Sequence, residues 1–344
     1  MMSRGLRLLL GLAAAVIALA GIGQVSSIAG PAFLALTMTI AVSPLRQWLR
    51  RRGAPSWALI VVPLAVVIVV LLAFVGSLIV SVAQLAVLLP TYTDKYQALV
   101  ANVTTWIHGL GITTEQVNAV LGKLDPNKIL ALVEGFLGSL LGVGSAFVLI
   151  LLLLFGMSLD ATFLQDAVGA LSASRPHLVG ALREFTRGTC RYLVVSSIFG
   201  IIVAVLDAGA LAVLGVPLPL LWGLLAFITN YIPNIGFLIG LIPPALLGLL
   251  DSGWTTMLWV VVVYCVLNFI IQSVIQPKFA GESAGLSTTL TILSLLVWTV
   301  VLGAIGAILA VPLSAFARAL LIDADENTRW AIPLVSGQPN PPTP

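Results

Sequence analysis

Charged residues are scarce in this sequence: they make up 8% of its 344 residues, whereas 60% are hydrophobic. A soluble domain carries about 25% charged residues. So few charges cannot cover a water-exposed surface, which excludes a soluble globular protein. The chain length suits about six to nine membrane helices of roughly 20 residues each. The predicted fold class is therefore an all-α membrane protein.

Residues that commonly carry catalysis or bind metals are also scarce. The two cysteines, Cys190 and Cys265, and the two histidines, His108 and His177, have no disulfide or metal-site spacing. The sequence contains no G-x-x-x-x-G-K-[ST] phosphate loop and no H-E-x-x-H motif. These absences exclude ATP binding of the usual kind, and we predict no cofactor and no enzymatic activity.

Hydrophobic runs dominate the sequence and predict about eight transmembrane helices. The third run is about 50 Å long as a helix, so it should tilt strongly or project from the membrane. Arg4 and Arg7 before the first run are also typical of a secretory signal, but the many later runs favour an uncleaved helix. The runs are Leu6–Gly23, Ser27–Ser43, Trp57–Leu89, Phe136–Ser158, Tyr192–Leu214, Leu220–Leu250, Trp254–Ile275 and Leu286–Ala317.

Composition divides the chain into four regions. Residues 1–91 are predicted to hold transmembrane helices 1–3, and residues 92–135 to form external amphipathic helices. Residues 136–320 should contain helices 4–8 with the transport core. The proline-containing segment 321–344 is predicted to be a cytoplasmic, disordered tail.

The basic residues predict the orientation of the chain. With the N-terminus in the cytoplasm, all twelve arginines fall on the cytoplasmic side of the eight runs, as the positive-inside rule requires. The N- and C-termini are then both cytoplasmic. The lysines Lys95, Lys123, Lys128 and Lys278 fall on the outer side.

The sixth run is interrupted by residues that break helices. An interior proline removes a backbone hydrogen bond, and lipid offers no replacement partner. This pattern indicates a discontinuous or hairpin helix that faces a substrate path, or else a kinked helix at a loop. The first break contains Asn230, Tyr231, Pro233, Asn234 and Gly236, and Pro243 with Pro244 form a second break.

A second polar segment begins in the seventh run. Asn268, Gln272 and Gln276 recur at four-residue spacing on one helical face. We predict a re-entrant segment near 276–289 that lies on the substrate path together with the first break. Alternatively, the amides join neighbouring helices by hydrogen bonds. The further residues assigned to the path are Pro277, Ser287 and Thr288.

Asp207 is the one acidic residue well inside a predicted span. Charged groups within a membrane are costly and commonly functional. Asp207 is therefore a candidate for ion coupling, or else an interfacial residue that water hydrates.

Several of these motifs together resemble the autoinducer-2 exporter family over about residues 27–320. The resemblance implies a homo-oligomeric secondary transporter that exports a small hydrophilic metabolite or signal across the bacterial inner membrane. Its partners would be that solute and membrane lipid, with no nucleic acid and no ATP. The motifs are Gly30-Pro31-Ala32-Phe33-Leu34, Ser43-Pro44-Leu45, Gly215-Val216-Pro217-Leu218-Pro219, Ile232-Pro233-Asn234-Ile235-Gly236, Gly285-Leu286-Ser287, Leu302-Gly303-Ala304-Ile305-Gly306 and Ala310-Val311-Pro312.

Two other functions stay open at this point. Some family members are assigned to sodium/proton exchange, so a sodium(lithium)/proton antiporter that uses Asp207 is one alternative. A membrane scaffold protein without transport activity is the other.

Overall fold

The computed structural model describes residues 4–108, 144–233, 235–280 and 286–325, and the shorter pieces 131, 133–135, 137–139, 328 and 331–336. Every regular element within these residues is a helix, which confirms the all-α fold class. Within the same residues, five helical stretches are long and apolar enough to cross a membrane, and four shorter apolar helices accompany them.

The N-terminal region is built around one very long helix. The continuous helical stretch from Ser56 to Asn102 has 47 residues, which corresponds to about 70 Å. That is more than twice the thickness of a bilayer's hydrocarbon core, so the stretch projects from the membrane. The elements here are α1 (Arg4–Gln24), α2 (Ser26–Ala41), α3 (Ser43–Arg51), α4 (Ser56–Leu88), a 3₁₀ turn (Leu89–Tyr92) and α5 (Thr93–His108).

Two further long helices follow, α6 (Gly144–Leu171) and α7 (Pro176–Val213). The loop between them spans residues 172–175, and α7 begins well before the predicted start of the fifth run at Tyr192. Its first turns bury Ala181, Phe185 and Thr189 at four-residue spacing, so this part is an amphipathic extension. The predicted external helices beyond His108 lie largely outside the described residues.

The sixth apolar run folds into a hairpin of two helices, α8 (Pro219–Thr229) and α9 (Gly236–Ser252). A Cβ placed on Gly240 would lie 3.7 Å from Cα of Ala226. These residues are 14 positions apart and would be about 21 Å apart in a straight helix, so α9 runs back along α8. Residues 230–233 and 235 lie in the hairpin tip.

Pro243 and Pro244 do not interrupt the helix that contains them, so the predicted second break is wrong. Both lie inside α9, which is continuous from Gly236 to Ser252. Their missing N–H groups free the carbonyls of Ile239 and Gly240. Gly240 and Pro244 are buried against neighbouring helices, and such shielding lets a membrane helix tolerate proline.

The C-terminal region contains a second hairpin. It turns at Gly303, whose φ of 66° and ψ of −146° are not helical. The indole N–H of Trp298 donates to Ser314 Oγ at 2.8 Å across 16 residues, so the two arms lie side by side. The elements are α10 (Trp254–Asn268), a π-helical segment (Phe269–Ile275), α11 (Gln276–Ala280), α12 (Thr288–Ile308), α13 (Ala310–Arg318), a second π-helical segment (Ala319–Asp323) and α14 (Ile332–Ser336).

The first hairpin changes the side of the membrane on which Lys278 lies. The guanidinium of Arg191, from the arginine-rich end of α7, donates two hydrogen bonds to the carbonyl of Phe279, at 3.0 and 3.3 Å. Lys278 is adjacent to Phe279. Placing Lys278 on the side opposite the arginines was therefore wrong, because the first hairpin returns the chain to the side from which it entered.

The two hairpins also meet each other. Ile232, in the hairpin tip, packs on a cluster of residues from both arms of the second hairpin. The cluster contains Leu295 and Trp298 before the turn, and Ala307 and Ala310 after it.

Part of the C-terminal segment that was predicted to be a disordered tail is helical. The carbonyl of Val335 in this segment accepts a hydrogen bond from the N–H of Ser287 at 2.8 Å.

Candidate functional site

The hairpin tip is fixed to α7 by polar contacts. The Asn230 amide donates to the carbonyl of Ser196 at 2.9 Å. The Tyr192 hydroxyl donates to the carbonyl of Tyr231 at 3.0 Å, and the Tyr231 hydroxyl lies 2.6 Å from Ser197 Oγ. The Tyr192 hydroxyl thus supplies a partner that a carbonyl at a broken helix cannot find in lipid.

An amide chain connects the hairpin tip to the seventh run. The side-chain amide of Gln272 donates to Asn230 Oδ1 at 3.3 Å and to Asn268 Oδ1 at 2.8 Å. Asn268 in turn donates to the carbonyl of Tyr264 at 2.9 Å. The predicted pairing of the first break with the amide stripe is therefore present for Asn230, Asn268 and Gln272.

Gln272 lies in the π-helical segment. A π-helix is a rare conformation that is frequent at functional sites, because its extra residue per turn rotates the side chains that follow. Here it places Gln272 beside both Asn230 and Asn268, whereas Gln276 lies beyond the segment as the first residue of α11.

Asp207 lies next to this amide chain. It is 0% exposed, so water does not hydrate its carboxyl group, contrary to the second alternative considered from the sequence. Among the described residues, neither carboxyl oxygen has a hydrogen-bond partner, and the same holds for the hydroxyl of Tyr264. Asp207 is therefore an uncompensated polar group in the membrane-spanning part of the molecule.

Two clefts meet at the amides. The first, called the closed cleft, has no room for a water-sized molecule, and the second, called the wide cleft, measures about 660 Å³. Phe237, Asn268 and Gln272 border both and separate one from the other. The closed cleft is also lined by Asp207, Ala226, Thr229, Gly240 and Tyr264, and the wide cleft by Cys265, Val266, Phe269, Ile270 and Ser273.

Other predicted path residues have different surroundings. Ser287 caps α12 by accepting a hydrogen bond from the N–H of Leu290 at 3.3 Å, and Thr288 is the exposed first residue of that helix. Pro277 is the second residue of α11. Neither Ser287 nor Thr288 lines either cleft. The side chain of Pro277 and the whole of Asn234 lie outside the part of the chain that the structure describes.

Pro233 and Gly236 shape the hairpin. Pro233 lies in the tip, where its carbonyl accepts the N–H of Ile235 at 2.8 Å. Gly236 begins α9 so close to the carbonyl of Thr229 that a Cβ would collide with it. The two residues thus set the geometry of the turn.

Sequence reasoning missed Thr229, Phe237 and Tyr264. Tyr264 precedes Asn268 by four residues and extends the amide stripe by one helical turn, so its spacing was a usable signal. Thr229 and Phe237 lie on the two arms of the hairpin. They approach each other only because the chain reverses, which no local pattern encodes.

Comparison with known proteins identifies the family. The family described as "AI-2E family transporter" matches residues 10–324. The AI-2 transport protein TqsA of Escherichia coli K12 is 30% identical over 320 residues, 92% of each chain. The putative transport protein YhhT of the same strain is 28% identical over 336 residues, which cover 97% of this chain and 96% of the relative. The putative transport protein YrrI of Bacillus subtilis is 24% identical over 318 residues, 85% of each chain. A match over nearly the whole chain, on a fold of membrane-spanning helices, shows that the protein belongs to the AI-2E transporter family.

Proposed function

We propose that this protein is a secondary transporter that exports a small hydrophilic metabolite or signal across the bacterial inner membrane. The family supplies the activity of transport. The observation that carries the proposal is the amide pair Asn268 and Gln272, which borders the wide cleft and is hydrogen-bonded to the tip of a broken helix at Asn230. Broken helices that line a cavity are a recurring device of secondary transporters.

The wide cleft favours a small, uncharged solute. Its volume of about 660 Å³ is within the range of small-molecule sites. Its lining is mostly apolar and includes the amides of Asn268 and Gln272 and the hydroxyl of Ser273. This lining suits a compact solute with several hydroxyl or carbonyl groups. Because the relative TqsA is named an AI-2 transport protein, AI-2 is the first solute to test.

The proposed orientation places the arginine-rich ends of the helices in the cytoplasm. Solute would enter from that side and leave on the side of Asp251, which accepts a hydrogen bond from Tyr92 at 2.8 Å. The apolar side chains exposed on the helices would contact lipid or other copies of the chain in a homo-oligomer.

Replacing Gln272 by Leu tests the site. The substitution leaves Asn230 Oδ1 and Asn268 Oδ1 without their shared donor. Each lost hydrogen bond within a membrane protein is worth about 0.6–2 kcal/mol, so AI-2 efflux from proteoliposomes should slow about tenfold. The matched control is Gln84→Leu, which changes an exposed glutamine on α4.

Equal efflux rates for the two variants would contradict the assignment of the amides to the path. A wild-type protein that moves neither AI-2 nor any member of a panel of small polar metabolites would instead support the scaffold hypothesis. Size-exclusion profiles of both variants should match the wild type, so that a loss of efflux is not mistaken for misfolding.

A further inference from the structure

The surroundings of Asp207 lack a balancing charge. Two basic residues of other elements packed on α7 are Lys278, next to Phe279, which accepts hydrogen bonds from Arg191, and Arg318, next to Ala319 of the cluster around Phe185. Arg191 and Phe185 lie about 24 Å and 33 Å along the helix from Asp207. Within the part of the chain that the structure describes, no basic residue lines the closed cleft, and its one other titratable group is Tyr264. The groups facing Asp207 are Thr229 from α8, Phe237 and Gly240 from α9, Tyr264 and Asn268 from α10, and Gln272 from the π-helical segment.

An ionised carboxylate is not stable in this position. An unpaired charge removed from water costs several kcal/mol or more, and a buried group neutralises itself instead. Both oxygens of Asp207 are buried and have no donor among the described residues. The carboxyl therefore holds a proton while the cleft is closed.

A metal cation does not fit the closed cleft as well as a proton does. A hard cation needs several oxygen ligands, but Asn268 Oδ1 already accepts a hydrogen bond from Gln272. The cleft also lacks room for a water-sized species. A proton requires neither additional ligands nor additional volume.

We propose that Asp207 is the proton-binding site that couples solute export to proton entry. The step is the reversible addition of one proton to the Asp207 carboxylate, with no change in oxidation state. Protonated Asp207 permits the closed cleft, and loss of the proton requires the cleft to open toward water. This inference rests on the proposed transport function and names its driving ion.

The amide chain supplies the mechanical connection. Asn268 borders the same cleft as Asp207, and Gln272 joins Asn268 to Asn230 in the hairpin tip. Opening the closed cleft to hydrate an ionised Asp207 must displace Asn268 or the hairpin. Both border the wide cleft through Asn268, Gln272 and Phe237, so the charge on Asp207 affects the proposed solute site.

Infrared spectroscopy of the purified full-length protein tests the protonation state without any solute. We expect the carbonyl stretching band of a protonated carboxylic acid at neutral pH, and its loss in Asp207→Asn. In Asp207→Glu, which keeps the acid, the band should shift and persist. Asp251→Asn is the control, because Asp251 is partly exposed and lies 3.5 Å from Lys95. The band should survive in this variant. Absence of the band in the wild type, or its survival in Asp207→Asn, would overturn the proposal.

A transport assay separates the coupling from the transport itself. In proteoliposomes, a pH gradient of about one unit should raise wild-type AI-2 accumulation about tenfold over equilibrium exchange if one proton enters for each solute exported. Asp207→Asn should keep the exchange and lose the gradient-driven part. Exchange that does not depend on the pH gradient, or that a sodium gradient drives instead, would overturn the proposal that Asp207 is a proton site. It would leave the proposed transport function standing. If wild-type liposomes show no exchange while the infrared band is present, the proposed function fails and the proton site stands.

Discussion

At the scale of single residues, the hairpin depends on a close approach between backbones. Gly236 begins α9 against the carbonyl of Thr229, and Gly240 packs on Ala226 and Thr229. The sequence indicated that Gly236 belongs to a break. It assigned Asn230, Asn268 and Gln272 to one substrate path, and hydrogen bonds join these three amides in the structure. It could not show that Asp207 is buried, because that burial depends on α8 and α9 folding back over α7.

Gly236→Ala should destabilise the protein. A methyl group there would collide with the Thr229 carbonyl and force the two arms apart, and such overpacking costs about 1–3 kcal/mol. The loss is measurable as a lower midpoint of unfolding in detergent. Gly76→Ala is the matched control, because its Cβ would meet nothing within 4 Å on α4, and alanine favours a helix over glycine. An equal midpoint for both variants would contradict the close packing of the hairpin.

At the scale of elements, a hydrophobic run shows how long an apolar segment is, but not whether the chain reverses direction within it. The helix-breaking residues of the sixth run predicted its interruption correctly. The eighth run is interrupted as well, at Gly303. Prolines alone did not locate them, since Pro243 and Pro244 lie within a continuous α9. The turn at Gly303 carries no proline at all, and its only local signal is a glycine able to adopt positive φ.

The second hairpin should be stabilised by the hydrogen bond between its arms. A double-mutant cycle of Trp298→Phe and Ser314→Ala should give a coupling free energy of about 0.6 kcal/mol, and at most about 1.7 kcal/mol. Trp254→Phe replaces an exposed tryptophan and should show no coupling to Ser314→Ala. A coupling indistinguishable from zero in the first cycle would mean that the arms are not joined through these side chains.

At the scale of the whole molecule, the distribution of arginines could not reveal the two hairpins. No arginine lies between Arg191 and Arg318, and both hairpins fall within that interval. Each hairpin removes one apparent crossing, so two leave the sides of both termini unchanged. Lys278 is the residue that moves to the other side of the membrane when the hairpins are taken into account. A single lysine changes the count of charges on each side too little to reveal the hairpins.

Thiol labelling of intact cells tests this topology. In a variant with Cys190 and Cys265 replaced by Ser, an impermeant reagent should label Lys95→Cys from outside. Lys278→Cys should behave like Arg183→Cys and react only after the membrane is permeabilised. The physical reason is the contact of Arg191 with Phe279 at the arginine-rich end. Labelling of Lys278→Cys from outside would restore the arrangement of eight simple crossings.

The packing of Ile232 on Leu295, Trp298 and Ala307 has a consequence for biosynthesis. The first hairpin leaves the ribosome long before residues 288–318, which shelter its tip. Until those residues arrive, the tip contacts lipid or an insertion chaperone, at a cost for each uncovered carbonyl. The nascent chain therefore completes its membrane core only after residues 288–318 have been translated, and chains truncated before the second hairpin would be substrates for quality-control proteases.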